Sequence, residues 1–463
     1  MGDGSFNLLE KKIPISSLFK GLGLLSAFLY SFMLVLASLA SVYTNIMKVL
    51  FAVMAVCAIV YSILIKRRLS YNPAVISLFL FAIFVLMTCF WAENKSVALT
   101  EASRLIQLVF VSISLYLLID KEEDVTLIVN ALMLGGLFMM CWSLYLHGIT
   151  HIISTIVEGG RVAVLQANLD SAIFTLTNAI LLYKVLFEKK YLYLIPYVIG
   201  LILLFGTGSR TGFIVTCVQV LIYIILKTGQ SGLKFAIPAI AVLAVAVIVV
   251  LPRFIDMNEY GSRIESIGDF LTEDADELNK AEDRDGSLVK RKIMLEFGEH
   301  LIKRKPLQGY GLGHYEYYFN VEYGESRPPH STYIQLMVGT GIVGTFLYYF
   351  VYLISALIFL AASIESIVRK RKNKKKAEKD ADRADGQSKK KHAPGGYAPL
   401  FFCVIIMYLV NNLSSNMLTN KYPYVLFGLF AGYIGMIINR RKNNKSQLAA
   451  AASGGEANGE KTL

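Results

Sequence analysis

His330 stands in Pro328-Pro329-His330-Ser331 at the mouth of a long apolar run, with Gly339, Gly341 and Gly344 following inside that run. Histidine is the side chain whose unperturbed pKa lets it exchange protons near neutrality, so one placed at such a mouth is a candidate general base. The plainer reading is a structural histidine at an interface. The three glycines carry no side chain, and another backbone can approach the helix closely along them. Arg210, in Gly206-Thr207-Gly208-Ser209-Arg210, and Arg161, after Gly159-Gly160, also flank apolar runs. A charge at a membrane edge is costly and is a functional hypothesis by default, although an interfacial arginine can simply snorkel to head groups. Asp170, close behind Arg161 and Asn168, is either the partner of an arginine or an acid of the chemistry.

Between 252 and 330 the sequence changes character. Its first half is acidic, and Asp274-Ala275-Asp276 and Asp283-Arg284-Asp285 resemble carboxylate pairs that hold a divalent ion. Two carboxylates two apart are common in a charged run, and a solvated loop is the plainer reading. Further on, Val289, Ile293, Phe297 and Leu301 recur at helical spacing opposite Lys290, Lys292, Glu299 and Lys303, the pattern of an amphipathic helix lying on a membrane leaflet. Arg291 is flanked by its basic face. The next stretch, 307–319, brings Gly309, Gly311 and Gly313 together with four tyrosines. Alternating glycines could cradle a phosphate or make a tight turn.

The elements that must position these groups follow from composition. The chain has 463 residues, 55% hydrophobic and 17% charged, with mean hydropathy +0.52 and a formal net charge of +12. Soluble domains carry about a quarter charged residues, so a cytosolic enzyme is excluded. Crossing about 30 Å of hydrocarbon takes roughly 20 apolar residues as a helix. Twelve stretches qualify, near 18–40, 46–65, 74–91, 104–119, 125–146, 169–187, 191–207, 212–227, 234–251, 333–361, 397–415 and 422–438. The first exceeds the apolar core of a cleavable signal peptide and is expected to stay as a helix. The fold expected is all-α, a polytopic membrane protein of about 12 transmembrane helices with one large external loop carrying short and amphipathic helices. Residues 1–251 hold the first nine spans, 252–330 the loop, 331–438 the last three spans with a disordered basic segment at 369–396, and 439–463 a disordered tail.

Lys11, Lys12, Lys20, Lys66, Arg67, Arg68, Lys189 and Lys190 alternate along the chain so that both termini are cytoplasmic and the 252–330 loop is external. Most of the net charge lies in 369–391 and the tail, where it reads as a topology signal and a contact for anionic lipid rather than for nucleic acid. The five cysteines all fall within expected spans and none forms CxxC, so neither a disulfide framework nor a thiolate metal site is indicated.

His330-Ser331, nine residues, Gly341, two residues and Gly344 together resemble the histidine signature of the O-antigen ligase and polymerase superfamily of bacterial membrane glycosyltransferases. Arg291 followed by Pro306-Leu307-Gln308-Gly309-Tyr310-Gly311-Leu312-Gly313 resembles that family's arginine and glycine-alternating run. Ser209-Arg210 resembles its Ser-Arg at a span end, and Arg161 before Ala167-Asn168 its outer arginine. The arrangement of spans and loop agrees over about residues 15–440.

The resemblance implies an enzyme of the bacterial plasma (inner) membrane that transfers a glycan from a polyprenyl-diphosphate-linked donor to an acceptor hydroxyl on the outer face. In that reading His330 is the catalytic base, and Arg161, Arg210 and Arg291 bind the donor diphosphate, with Arg263 and Arg327 in second rank. Arginine's planar fork suits a multi-oxygen anion, and three arginines from separate segments on one side can converge on it. Inversion at the anomeric carbon is expected, with no metal and no other cofactor. The partners are the lipid-linked donor, a lipid-linked or lipid A-core-type acceptor and membrane lipids, with no nucleic acid. The histidine motif serves ligases and polymerases alike. The rival class is a transporter or flippase of lipid-linked glycans, but coupled carriers place carboxylates within their spans, and these spans hold almost none.

Overall fold

The computed structural model describes residues 14–65, 71–158, 160–228, 286–381 and 396–456. Regular structure among them is entirely helical, since an apolar segment in lipid must satisfy its own N–H and C=O groups and a helix does so locally. The described helices are α1 (Ile15–Leu39), α2 (Ser41–Leu64), α3 (Pro73–Trp91), α4 (Lys95–Leu118), α5 (Glu122–His147), α6 (Ile149–Val157), α7 (Ala167–Leu186), α8 (Leu194–Gly206), α9 (Arg210–Thr228), α10 (Gly286–Arg304), α11 (His314–Tyr323), α12 (Thr332–Ala381), α13 (Ala398–Ser414) and α14 (Lys421–Glu456). The protein is a polytopic membrane protein of the all-α class.

Nine described helices are long and apolar enough to cross a membrane, and two shorter apolar ones cover Tyr191–Gly206 and Ala398–Ser414. Eleven of the twelve expected spans are therefore helices. The twelfth, 234–251, lies outside the described residues, as do both Asp-x-Asp pairs and Arg263. Some boundaries differ. α4 begins at Lys95 rather than near 104, because Glu101 and Arg104 pair across one turn at 2.6 Å and let charged residues join the helix. α12 and α14 run on to Ala381 and Glu456, into stretches whose composition pointed to disorder. A span already nucleates the helix, and Lys, Glu and Ala extend it readily.

The chain divides into two compact units. One comprises Met1–Asn72, Phe110–Ala131 and Val425–Leu463. In it α1 packs along α2, and Lys20 bridges Asp120 at 3.2 Å and Asp124 at 2.8 Å. Tyr61 donates its hydroxyl to Asp120 at 2.6 Å, and Asp124 also accepts the backbone N–H of Asp120 and Lys121. Lys20, read from sequence as a topology charge, is thus part of a paired network. The other unit, Pro73–Val109 and Leu132–Tyr424, holds every described candidate site residue. There α7 packs on α8 and α9, and α12 packs on α3 and α13.

The amphipathic segment forms α10, but its apolar face is covered by protein. Met294 and Leu301 are buried with Tyr310, Tyr315, Phe319 and Val338, and Phe297 and Ile334 pack around them. Tyr315 donates its hydroxyl to the Met294 carbonyl at 2.7 Å. A Cβ on Gly298 would collide with the Ile334 side chain, so this glycine allows α10 to lie against the first turns of α12. Helical spacing reveals an apolar face without revealing what covers it, and here α11 and α12 do.

The two glycine motifs interlock. α12 breaks its helical geometry at Gly341, with φ 61° and ψ −166°, and the 306–311 segment docks there, backbone to backbone. Tyr310 N–H donates to the Val338 carbonyl and Gly311 N–H to that of Gly339, both at 2.8 Å, while Ile342 N–H donates to Pro306 O at 2.9 Å. The break frees groups of the α12 ladder, and the incoming segment satisfies them. A Cβ at Gly309 would stand 2.6 Å from the Gly341 nitrogen, and one at Gly341 would strike the Leu307 carbonyl. Gly309, with φ 66°, and Gly341 also occupy the left-handed region that favours glycine.

Gly309→Ala and Gly341→Ala should each destabilise the protein by at least about 2 kcal/mol, since strain and overpacking act together. Gly21→Ala, whose added methyl meets nothing within 4 Å, should be neutral or slightly stabilising. Thermal unfolding in detergent measures this, and a Gly341→Ala protein that melts with the wild type would show that the interlock is not needed.

Candidate functional site

His330 lies in the turn that leads into α12. Pro328 and Pro329 restrict the approach, and His330 itself takes a left-handed φ of 50°. That conformation costs a side-chain-bearing residue roughly 1–2 kcal/mol, and such strain persists where the surroundings over-determine it. Arg291 comes from α10, one turn before Met294, and is set in place by the apolar packing of that helix on α11 and α12. Arg327 lies in the same loop as the histidine, and its Nε pairs with Glu325 at 2.7 Å. Burial, then the nearby Arg291 and Arg327 guanidiniums, hold His330 below the ordinary histidine pKa. The imidazole is kept neutral, the form able to accept a proton.

Arg161 and Arg210 form a second pair of adjoining segments. Val162 N–H donates to the Gly206 carbonyl at 2.7 Å, and the Arg161 side chain lies across Gly208, its Cγ 2.9 Å from where a Cβ would stand. Gly208 has φ 60°, which turns the chain so that Ser209 caps α9 by accepting the Gly212 N–H at 3.3 Å. Ser209 also reaches Asn168 Oδ1 at 3.4 Å. Arg210 is thereby the first residue of a 19-residue helix, where backbone N–H groups and the helix dipole also favour an anion. Asp170, 1% exposed, accepts the backbone N–H of Val164 at 2.6 Å and of Leu165 at 3.3 Å. It holds the loop that carries Arg161.

The C-terminal end of α13 joins the arginine segments to the histidine. Thr211, next to Arg210, shares a 2.7 Å hydrogen bond with the Ser414 hydroxyl. On the other side, the Thr332 hydroxyl donates to the Ser415 carbonyl at 2.9 Å and accepts the Met417 N–H at 2.8 Å. Ser331 reaches the Asn412 carbonyl at 3.5 Å. Sequence reasoning passed over Asn412, Ser414 and Ser415 because they sit in an apolar stretch counted as a span; the signal available was the density of polar residues in Asn411-Asn412-Leu413-Ser414-Ser415-Asn416. His314, by contrast, serves the framework, its Nε2 accepting the Asn94 N–H at 3.0 Å. Among the described residues no three His, Cys, Asp or Glu side chains stand together as metal ligands.

Residues 195–349 match the O-antigen ligase family. The matched segment covers less than half of the chain and contains Arg210, Arg291, Arg327, His330 and both glycine motifs, while Arg161 and the end of α13 lie outside it. It supports a membrane glycan-transfer function in general. No curated protein matches the chain.

Within the matched segment a further titratable group, Glu316, lies in α11. Glu316 receives a weak hydrogen bond from Gln335 Nε2 at 3.5 Å, and its Oε2 is buried without a hydrogen-bond partner. Burial, reinforced by the neighbouring Glu101, pushes its carboxyl pKa from 4.5 to about 7. Since the folded value is raised, the stability this group contributes is fully present below pH 4.5 and is lost as pH rises through about 7. Glu316→Gln should therefore stabilise the protein by about 1–3 kcal/mol at pH 8, at roughly 1.4 kcal/mol per pKa unit. It should be without effect near pH 4.5. Melting curves at both pH values check this, and equal effects at the two would show that the carboxyl is not held protonated.

Proposed function

We propose that the chain transfers a glycan from a polyprenyl-diphosphate-linked donor to an acceptor hydroxyl at the external face of the membrane, as an O-antigen ligase or polymerase. The observation that carries this reading is a neutral His330 held beside Arg291 and Arg327 within the segment that matches the O-antigen ligase family. A histidine kept unprotonated by burial and by two nearby cations suits a base whose substrate is an anion. When the diphosphate binds, its charge offsets that of the arginines, the penalty on imidazolium falls and His330 becomes a stronger base at the moment the donor is in place.

The steps follow from that arrangement. Arg210 and Arg161 on one side, and Arg291 and Arg327 on the other, bind oxygens of the diphosphate and stabilise the charge that grows as the anomeric C–O bond breaks. The acceptor oxygen attacks the anomeric carbon from the face opposite the leaving group. Its proton passes to the free imidazole nitrogen of His330, the glycosidic bond forms with inversion, and the polyprenyl diphosphate departs. The left-handed backbone at His330 is consistent with a side chain aimed by its surroundings rather than by local preference.

Glycan transfer by the purified protein, with a polyprenyl-diphosphate oligosaccharide and acceptor, tests the reading. His330→Ala should lower the rate by about 100-fold or more, the usual contribution of a general base. Arg210→Ala and Arg291→Ala should each weaken donor binding by about 1–3 kcal/mol, the scale of a lost charged hydrogen bond. Wild-type transfer by His330→Ala would remove the base, and unchanged donor affinity in both arginine variants would remove the anion site.

A further inference from the structure

We propose that Thr332, together with Asn412 and Ser415 at the C-terminal end of α13, is the positioning device of His330, and that α13 ties the histidine to the start of the helix that carries Arg210. The inference rests on the glycan-transfer reading for its meaning in turnover, but its geometry stands apart from it. His330 holds a left-handed backbone that a histidine does not choose for itself, so something must hold it on both sides. On the N-terminal side Pro328 and Pro329 restrict the chain and offer no N–H of their own. On the C-terminal side two consecutive side chains are anchored to α13.

Thr332 is fully buried. Its one hydroxyl proton goes to the Ser415 carbonyl at 2.9 Å, and its oxygen accepts the Met417 N–H at 2.8 Å. Asn412 Oδ1, also fully buried, lies 3.3 Å from the same oxygen. Ser331, between Thr332 and the histidine, reaches the Asn412 carbonyl. A hydroxyl that donates and accepts at once fixes direction as well as distance, which apolar packing alone does not. The same end of α13 holds Thr211 through Ser414 at 2.7 Å, one residue after Arg210. One short polar turn therefore sets the backbone of the base and the helix start of an arginine. Neither the histidine motif nor the matched segment 195–349 includes it. The competing account, that Thr332 only packs α12 on α13, predicts lost stability without any change at the imidazole.

Full-length protein in detergent, with Thr332→Val and Thr332→Ser, separates the two. Valine keeps the shape and loses both hydrogen bonds, and serine keeps both. The first readout is the rate at which diethyl pyrocarbonate acylates His330, followed by mass spectrometry of its peptide across pH, since only the neutral imidazole reacts. In Thr332→Val the midpoint should move up toward the ordinary histidine value of about 6.5, as the ring leaves its buried place and the arginines, and Thr332→Ser should restore it. A Thr332→Val protein that is less stable but labels with the wild-type midpoint and plateau rate would overturn the proposal. If Thr332→Val does not fold, Asn412→Leu is judged by the same criterion.

The second readout is glycan transfer from a polyprenyl-diphosphate oligosaccharide. Thr332→Val should lower kcat by about 100-fold, the effect of a misplacement of about 1 Å, with donor KM changed little and with recovery in Thr332→Ser. A shifted His330 midpoint with wild-type transfer keeps the positioning and removes the catalytic role of the histidine. An unshifted midpoint with lost transfer removes the positioning and leaves the function.

Discussion

A broken helix in an apolar environment exposes backbone groups that water cannot reach, and each one left unpaired costs several kcal/mol. α12 is broken at Gly341, and the 306–311 segment repairs the break with its own backbone. The site depends on this repair. α10 enters the docked segment from one end and α11 leaves it at the other, so the position of Arg291 and the packing of Tyr315 and Phe319 are set by where residues 306–311 sit. His330 opens the same helix whose break receives them. The glycines at 309 and 341 are required by approach distance and by a positive φ at once, which is why neither tolerates a side chain.

Around this frame the charges are arranged with economy. Burial and the nearby Arg291 and Arg327 hold His330 below the ordinary histidine pKa, and the proposed anion site uses the same guanidiniums. Carboxylates in this unit are put to structural use: Asp170 holds the Arg161 loop and Glu325 pairs with Arg327. In the other unit Lys20, Asp120, Asp124 and Tyr61 form a paired network, in accord with the rule that charge near a membrane is tolerated where it is matched.

Much of the fold was legible in the sequence because a membrane span is specified by length and hydropathy alone. Eleven of the apolar runs returned as helices, most of them within a few residues of their expected ends, with the start of α4 and the far ends of α12 and α14 the exceptions. Less legible were features that need a neighbour. The apolar face of the 286–304 segment was visible from the spacing of Ile293, Phe297 and Leu301, but the spacing is the same whether lipid or protein covers it. The early start of α4 rests on the pairing of Glu101 with Arg104 and on contact of that region with α11, where Glu101 adjoins Gly313. His330 was singled out by motif and charge. The structure adds that His314 serves the framework, accepting the Asn94 N–H.

Sequence by itself determined the class of the protein and the number of expected spans, and it singled out His330, Arg161, Arg210 and Arg291 as candidates for proton transfer and anion binding. These depend on side-chain chemistry and on local pattern, both of which are written along the chain. Tertiary structure decided that the two glycine motifs are one interlocked unit, that the arginines fall into two groups, and that Asn412, Ser414, Ser415 and Thr332 join them. Such contacts link residues from about thirty to about two hundred positions apart. The distance between two backbones, unlike the hydropathy of one, is a property that no single segment carries.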